Sequence, residues 1–221
     1  MKTLFLFLSL SVIFTSLNAQ EFSVKYQISM ESSDVKMQEQ LQMSQGSTLH
    51  VFTKDNKSRV EINMGQLMKT TTILDSEEGK GLIFMDGVLG KQAANFEGED
   101  FENYKTEKAE DEITITHLDS VKTILGQTCS LAIATIEGED LEVEFWYNKN
   151  IDGSKLYMLN NTNYKLPGLV LEYVIEQPDV NVSFKAISFE DKIENEELFD
   201  TAIPEGYIEK SFLELTNMSG Q

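Results

Sequence analysis

Two histidines, one cysteine and one arginine are all that this 221-residue chain offers to the chemistries that depend on those side chains. His50 and His117 each stand in a strand-like run, without a Cys, His or carboxylate at ligand spacing. A zinc site wants three or four such groups. The nearest approach is His117-Leu118-Asp119, so both residues read as solvent-facing strand histidines. Cys129 lies in the apolar run Thr128-Cys129-Ser130-Leu131-Ala132-Ile133, where a buried, inert thiol fits better than a reactive one; intermolecular pairing is the other option. There is no Gly-x-Ser-x-Gly elbow, although a triad can be scattered through a chain. Gly79-Lys80-Gly81 reads as a hairpin turn before a phosphate cradle. Acidic side chains number 37, enough to assemble a carboxylate pair in three dimensions, but their abundance singles out none. Calcium would want an Asp-x-Asp-x-Asp-Gly loop, and the acidic stretch 97–112 reads instead as a charged, solvated face. The sequence therefore predicts no catalytic residue, no metal and no cofactor.

Apolar side chains carry more information. In residues 141–147 and 169–176 apolar and other residues alternate with period two, which marks strands with one buried face. Val143, Phe145 and Tyr147 share one such face, and Leu169, Leu171, Tyr173 and Ile175 share another. These seven are core, or, if the sheet curves strongly, the lining of a cavity for an apolar ligand. Between them, residues 148–168 show no period, and a connection of that length inside a compact domain has structure of its own or covers a pocket. Residues 155–161 are expected to add a short element. Pro167-Gly168 suits a sharp entry into the second strand, with Gly168 permitting unusual backbone angles; Pro204-Glu205-Gly206 suits a closing turn.

Strands with the same alternation must position these residues. Phe22, Val24, Tyr26, Ile28 and Met30 form the first, followed by a turn at Glu31-Ser32-Ser33-Asp34. Val35, Met37, Leu41 and Met43 are read as one face of a second strand, broken at Glu39, although Met37 and Leu41 alone would also fit a helix. Short strands follow at 48–53, 59–63, 69–74 and 81–85, separated by turns at 54–57 and 76–79, with another tight turn at Asp86-Gly87 before 88–96. Residues 97–112 are a short surface helix or a loop. Alternation restarts at Ile113 and Ile115 and continues through 121–125, 129–136 and 141–147, the last two joined by a turn at 137–140. Residues 180–189 pair with 169–176 across Gln177-Pro178-Asp179, and a shift of phase between Ala186 and Ile187 predicts a bulge. This spacing means antiparallel hairpins rather than βαβ units. The fold class is mainly β: a strongly curved antiparallel sheet, a half-barrel with few short helices.

The first residues, Met1-Lys2-Thr3, the apolar run 4–17 and Asn18-Ala19 read as a secretory signal peptide cut after Ala19. The apolar run is shorter than the roughly 20 residues of a spanning helix, so no transmembrane segment is expected. The domain plan is a signal peptide at 1–19, one domain at 20–210 and a tail or fraying helix at 211–221. Localisation is then periplasmic or extracellular. With a single thiol the domain is held by its core rather than by disulfides. A formal charge of −19 disfavours nucleic acid and anionic lipid as partners.

Four blocks carry a family resemblance: residues 122–129, residues 145–151, Leu166-Pro167-Gly168-Leu169-Val170-Leu171, and Leu198-Phe199 with Ile203-Pro204-Glu205-Gly206-Tyr207. Together they resemble the GLPGLI-type exported bacterial proteins or a sister family, with Lys165 in place of the motif's first Gly and Val170 in place of its last Ile. The closing block is also similar to the lipoprotein-carrier (LolA/LolB-like) superfamily. That resemblance implies an incomplete barrel with an apolar concave face under helices or loops, and an acyl-chain or other apolar ligand. It transfers no catalytic residue. The sequence thus supports an exported binding protein with an apolar cleft first, a structural or interaction module with a filled sheet second, and a hydrolase with scattered carboxylates third.

Overall fold

The structure, a computed structural model, describes residues 21–105, 113–136, 142–153, 166–176 and 179–218. The expected signal peptide, the turn at 137–140 and residues 155–161 fall outside them. Among the described residues, twelve strands form one curved, unclosed sheet. They are β1 (Phe22–Glu31), β2 (Thr48–Lys54), β3 (Lys57–Asn63), β4 (Met68–Asp75), β5 (Lys80–Gly87), β6 (Gly90–Glu97), β7 (Ile113–Ile124), β8 (Gln127–Ile136), β9 (Glu142–Asn148), β10 (Leu169–Glu176), β11 (Asn181–Glu190) and β12 (Ile208–Glu209). Their order across the sheet is β12-β6-β5-β4-β3-β2-β1-β11-β10-β9-β8-β7. Two meanders, β1–β6 and β7–β11, are therefore zipped together where β1 pairs antiparallel with β11. Among the described strands, only the short β12 runs parallel to its neighbour, β6.

Among the described residues, three short α-helices accompany the sheet: α1 (Val35–Leu41), α2 (Glu99–Lys105) and α3 (Phe212–Met218). The second strand expected from Val35, Met37, Leu41 and Met43 is α1, followed by a 3-10 turn at Gln42–Ser44. Its cause is local. The Asp34 carboxylate accepts from the amides of Lys36 and Met37 at 2.7 and 3.1 Å, and its carbonyl accepts from the amide of Gln38. An N-cap before good helix formers outweighs a loose period of two. The tight turn expected at Asp86-Gly87 also moves: the strands run on until Gly87 faces Gly90, leaving Val88-Leu89 as the two-residue loop.

The other hairpins follow turn chemistry. Lys54 faces Lys57 across Asp55-Asn56, with Asp55 at φ 52°. Ile124 faces Gln127 across Leu125-Gly126, with φ of 50° and 77°. At Leu125-Gly126 both central residues thus have positive φ, the geometry whose twist matches flanking strands. The expected bulge is present, because Lys25 faces Ser188 while Tyr26 faces Ala186, leaving Ile187 as the extra residue.

Beyond β11 the chain straps the sheet. Ile193 and Phe199 bury against Phe52 with Leu198 beside them, and Ile203 and Tyr207 pack on Ile73, Leu82 and Ala93. Arg59, the chain's one arginine, donates to the Leu198 carbonyl at 2.9 Å, pairs with Glu61 and lies over the Phe84 ring. Tyr207 meets the edge of that ring at 5.3 Å between centroids. The turn expected at Pro204-Glu205-Gly206 forms, with the Tyr207 amide donating to the Pro204 carbonyl and Gly206 at φ 86°. The segment expected as a tail or fraying helix holds α3, whose Leu215 is fully buried with Phe101 of α2 and with Ile83, Met85, Ala94 and Phe96 of the sheet.

Candidate functional site

Directly opposite residues of an antiparallel pair share a face, so the pairing registers trace rows of side chains across the sheet. One row runs Met30, Val182, Ile175, Val143, Ala134 and Ile115 over six strands. The next runs Ile28, Phe184, Tyr173, Phe145, Ala132 and His117. Tyr173 stacks on Phe184 with centroids 4.3 Å apart and planes at 9°, and Phe145 lies 5.8 Å from Tyr173 on its other side.

A third row explains why the face is concave here. Tyr26 faces the small Ala186, and its ring crosses that strand so that its hydroxyl donates to the Val170 carbonyl of β10 at 2.6 Å. A side chain of β1 reaches the backbone of β10, two strands away, only if the sheet curls around it. Tyr26 is wholly buried, and desolvation, with Tyr173 and Cys129 nearby, holds its pKa well above the ordinary value.

The seven apolar residues singled out from the sequence divide between two packed clusters, with Tyr173 touching both. Tyr147 faces Val170 and Trp146 faces Glu172, which leaves Leu171 as an extra residue and shifts the phase of β10. As a result Val143, Phe145 and Tyr147 pack with Val170, Leu166, Tyr173 and Ile175, whereas Leu169 and Leu171 join Val24, Tyr26 and Cys129. Burial is graded. Leu169 and Leu171 are 0% exposed, Val143 1% and Phe145 2%, while Tyr173, Ile175, Phe184, Val182, Met30 and Ile115 are half-buried. The row ending at Met30 and Ile115 is thus the open margin of the apolar face. Met30, Val182, Phe184 and Ile115 join this face without being singled out by the sequence: their period-two alternation is visible there, but the pairing of β1 with β11 is not local.

The residues with chemical potential stand apart. Cys129 is buried and free, and desolvation pushes its thiol above the ordinary value despite nearby Lys122. His117 is exposed, as expected, with Nδ1 3.0 Å from the Tyr147 hydroxyl. His50, expected to face solvent, is half-buried with its ring 3.9 Å from that of Phe52, and desolvation lowers its pKa. Lys80 sits in the hairpin expected at Gly79-Lys80-Gly81, where the ring of Phe96 occupies the space above Gly81. Among the described residues no three of His, Cys, Asp and Glu come together as metal ligands. A polar cleft of about 450 Å³ lies between Lys80, Asn95, Glu97, Asp100 and Thr201, away from the apolar rows. No helix among the described residues is long and apolar enough to cross a membrane.

Gly168 is required for a reason other than the expected one. A Cβ there would stand 2.2 Å from the Asn148 carbonyl oxygen and 2.7 Å from Lys149 Cα, so the glycine permits close backbone approach rather than a special torsion. The Leu169 amide that follows donates to the Ile151 carbonyl, locking the start of β10 against the end of β9.

No family model matches the chain, and no curated protein matches it. Among solved structures, two crystal forms of PNGF-II are each 17% identical with a TM-score of 0.48 over 90% of this chain. This chain spans only 33% and 32% of those chains, about a third of their length. A β-barrel-like protein of the domain of unknown function DUF1849 from Brucella abortus is 7% identical with a TM-score of 0.39, over 79% of this chain and 99% of that one. Likeness at this level assigns no activity, and the functional reading rests on the sheet itself.

Proposed function

We propose that the protein is an exported, non-catalytic binding module of the cell envelope that takes up an apolar chain along the open margin of its curved sheet. The observation that carries this reading is the row Met30, Val182, Ile175, Val143, Ala134 and Ile115, apolar across six strands and half-buried at four of its six positions. The stacked pair Tyr173 and Phe184 borders it. An acyl chain laid along such a row releases water from both surfaces, with about 0.8 kcal/mol gained per buried methylene. The signal-like first 19 residues and the resemblance to exported GLPGLI-type and lipoprotein-carrier proteins support export and an apolar ligand. The formal charge of −19 favours a ligand without an anionic headgroup.

Native mass spectrometry and solvent extraction of the purified protein, together with titration of a fluorescent fatty-acyl probe, test the reading. Saturable uptake near one equivalent is expected. Ile175→Glu should weaken it at least about tenfold, since a buried carboxylate costs several kcal/mol without a partner. A protein that arrives empty and takes up no probe overturns the proposal.

One observation favours a second reading, a filled module that binds through its surface. Leu169 and Leu171 are 0% exposed and Val143 and Phe145 only 1% and 2%, so this part of the apolar face is filled by its own side chains. An empty protein without probe uptake would establish it.

A further inference from the structure

The sheet is open, and β7 is the strand at one of its two ends. It is twelve residues long, and among the described residues nothing pairs with its outer edge. An edge this long is a template for another strand, and proteins normally guard it with a lysine, a proline or a twist. In β7 the bulge supplies a guard over only part of the length. Leu118 faces Leu131 and Val121 faces Ser130, so Asp119 and Ser120 are extra residues that interrupt the edge. Ahead of them, Ile113, Thr114, Ile115, Thr116, His117 and Leu118 carry no formal charge, in a chain that is 25% charged.

The pattern of that run points to one kind of partner. A ligand strand of opposite charge would be met by a charged edge. A second copy related by two-fold symmetry brings each residue near the axis against its own kind, so any charge there repels itself. An uncharged, self-complementary run satisfies that condition. If Ile115 lies opposite the second copy's Ile115, then Thr114 meets Thr116 and Ile113 meets His117, and every opposite pair keeps to its own face. Thr114 and Thr116 are exposed, whereas Ile113 and Ile115 are half-buried on the apolar side.

We propose that the chain forms a two-fold dimer through antiparallel pairing of residues 113–117 of β7 with the same residues of a second copy. The two sheets become continuous, and the row that ends at Ile115 runs on into its counterpart. The exposed ends of both rows are thereby covered, and the free ladder groups of both edges find partners. The proposal stands on the edge and its charge pattern, and does not need a ligand in the sheet.

Analytical ultracentrifugation over a concentration series tests it. A reversible monomer–dimer equilibrium is expected, strengthened by added salt because screening weakens repulsion between two copies of charge −19. Thr114→Glu with Thr116→Glu, at exposed positions, should weaken the dimer at least about tenfold while the circular dichroism spectrum is unchanged, since like charges placed across a strand pair destabilise it. Ile115→Cys should give a covalent dimer on mild oxidation, with Cys129 buried and out of competition. A monomer at all concentrations, or a dimer indifferent to the two glutamates, overturns the proposal. So does a monomer that takes up a synthetic strand of alternating sequence, which would give the edge to another partner. Probe uptake by the monomeric double variant separates this result from the ligand-binding one.

Discussion

At Gly168 and Gly206 the same substitution has different physical consequences. A methyl group at Gly168 collides with the backbone of Asn148 and Lys149, which cannot move without unpairing the start of β10 from the end of β9. At Gly206 a Cβ meets nothing within 4 Å, and the only obstacle is the φ of 86°. Gly206→Ala should therefore cost about 1 to 2 kcal/mol, the usual strain of an L-residue in that region. Gly168→Ala should cost more than about 4 kcal/mol or prevent folding, as backbone overlap falls in the exceptional class of substitutions. Urea denaturation of the two variants checks the order; equal losses would mean that the approach at Gly168 relaxes easily. The sequence made both glycines legible as backbone punctuation. It showed the mechanism only for Gly206, because a turn is local and the contact of residue 168 with residue 148 is not.

Elements were read correctly where the signal was periodic and local, and misread where a cap or a bulge intervened. The strands of both meanders follow from alternation, and Ile187 betrayed its bulge by a break in phase. Leu171 did not, because Leu169, Leu171, Tyr173 and Ile175 keep perfect spacing straight through it, so alternation alone shows two coherent faces where packing divides the seven residues between two clusters that meet at Tyr173. Asp34 was seen as a turn residue, yet its capping bonds are what make α1 a helix. The strap after β11 was legible only as a motif. Its function is to close one face of β2–β6, with Phe199 buried beside Phe52 and Ile193, and Arg59 holding the Leu198 carbonyl. Phe199→Ala should accordingly lose about 3 to 5 kcal/mol, the cost of emptying an aromatic core site. Limited proteolysis should then cut first between residues 191 and 207. Cutting elsewhere, with unchanged stability, would show that the strap is not pinned there.

For the whole molecule, the decisive feature is the seam between the meanders. Each meander is a run of local hairpins, but β1 and β11 lie some 160 residues apart in the chain and pair through nine opposed residues. Non-local pairing of this kind costs chain entropy before it rewards it, so the seam closes late and cooperatively. Tyr26 fastens it from inside, crossing β11 to reach β10. Tyr26→Phe keeps the ring and removes only the hydroxyl, leaving the Val170 carbonyl without that donor. A loss of roughly 1 to 2 kcal/mol is expected on those grounds. Because the β1–β11 seam joins the two halves, the loss should appear as a single shifted unfolding transition seen equally by circular dichroism and by the fluorescence of Trp146, which lies in the β7–β11 half. Two separate transitions in the wild-type protein would show that the meanders are independent folding units, and the seam would then be a docking contact rather than the centre of one core.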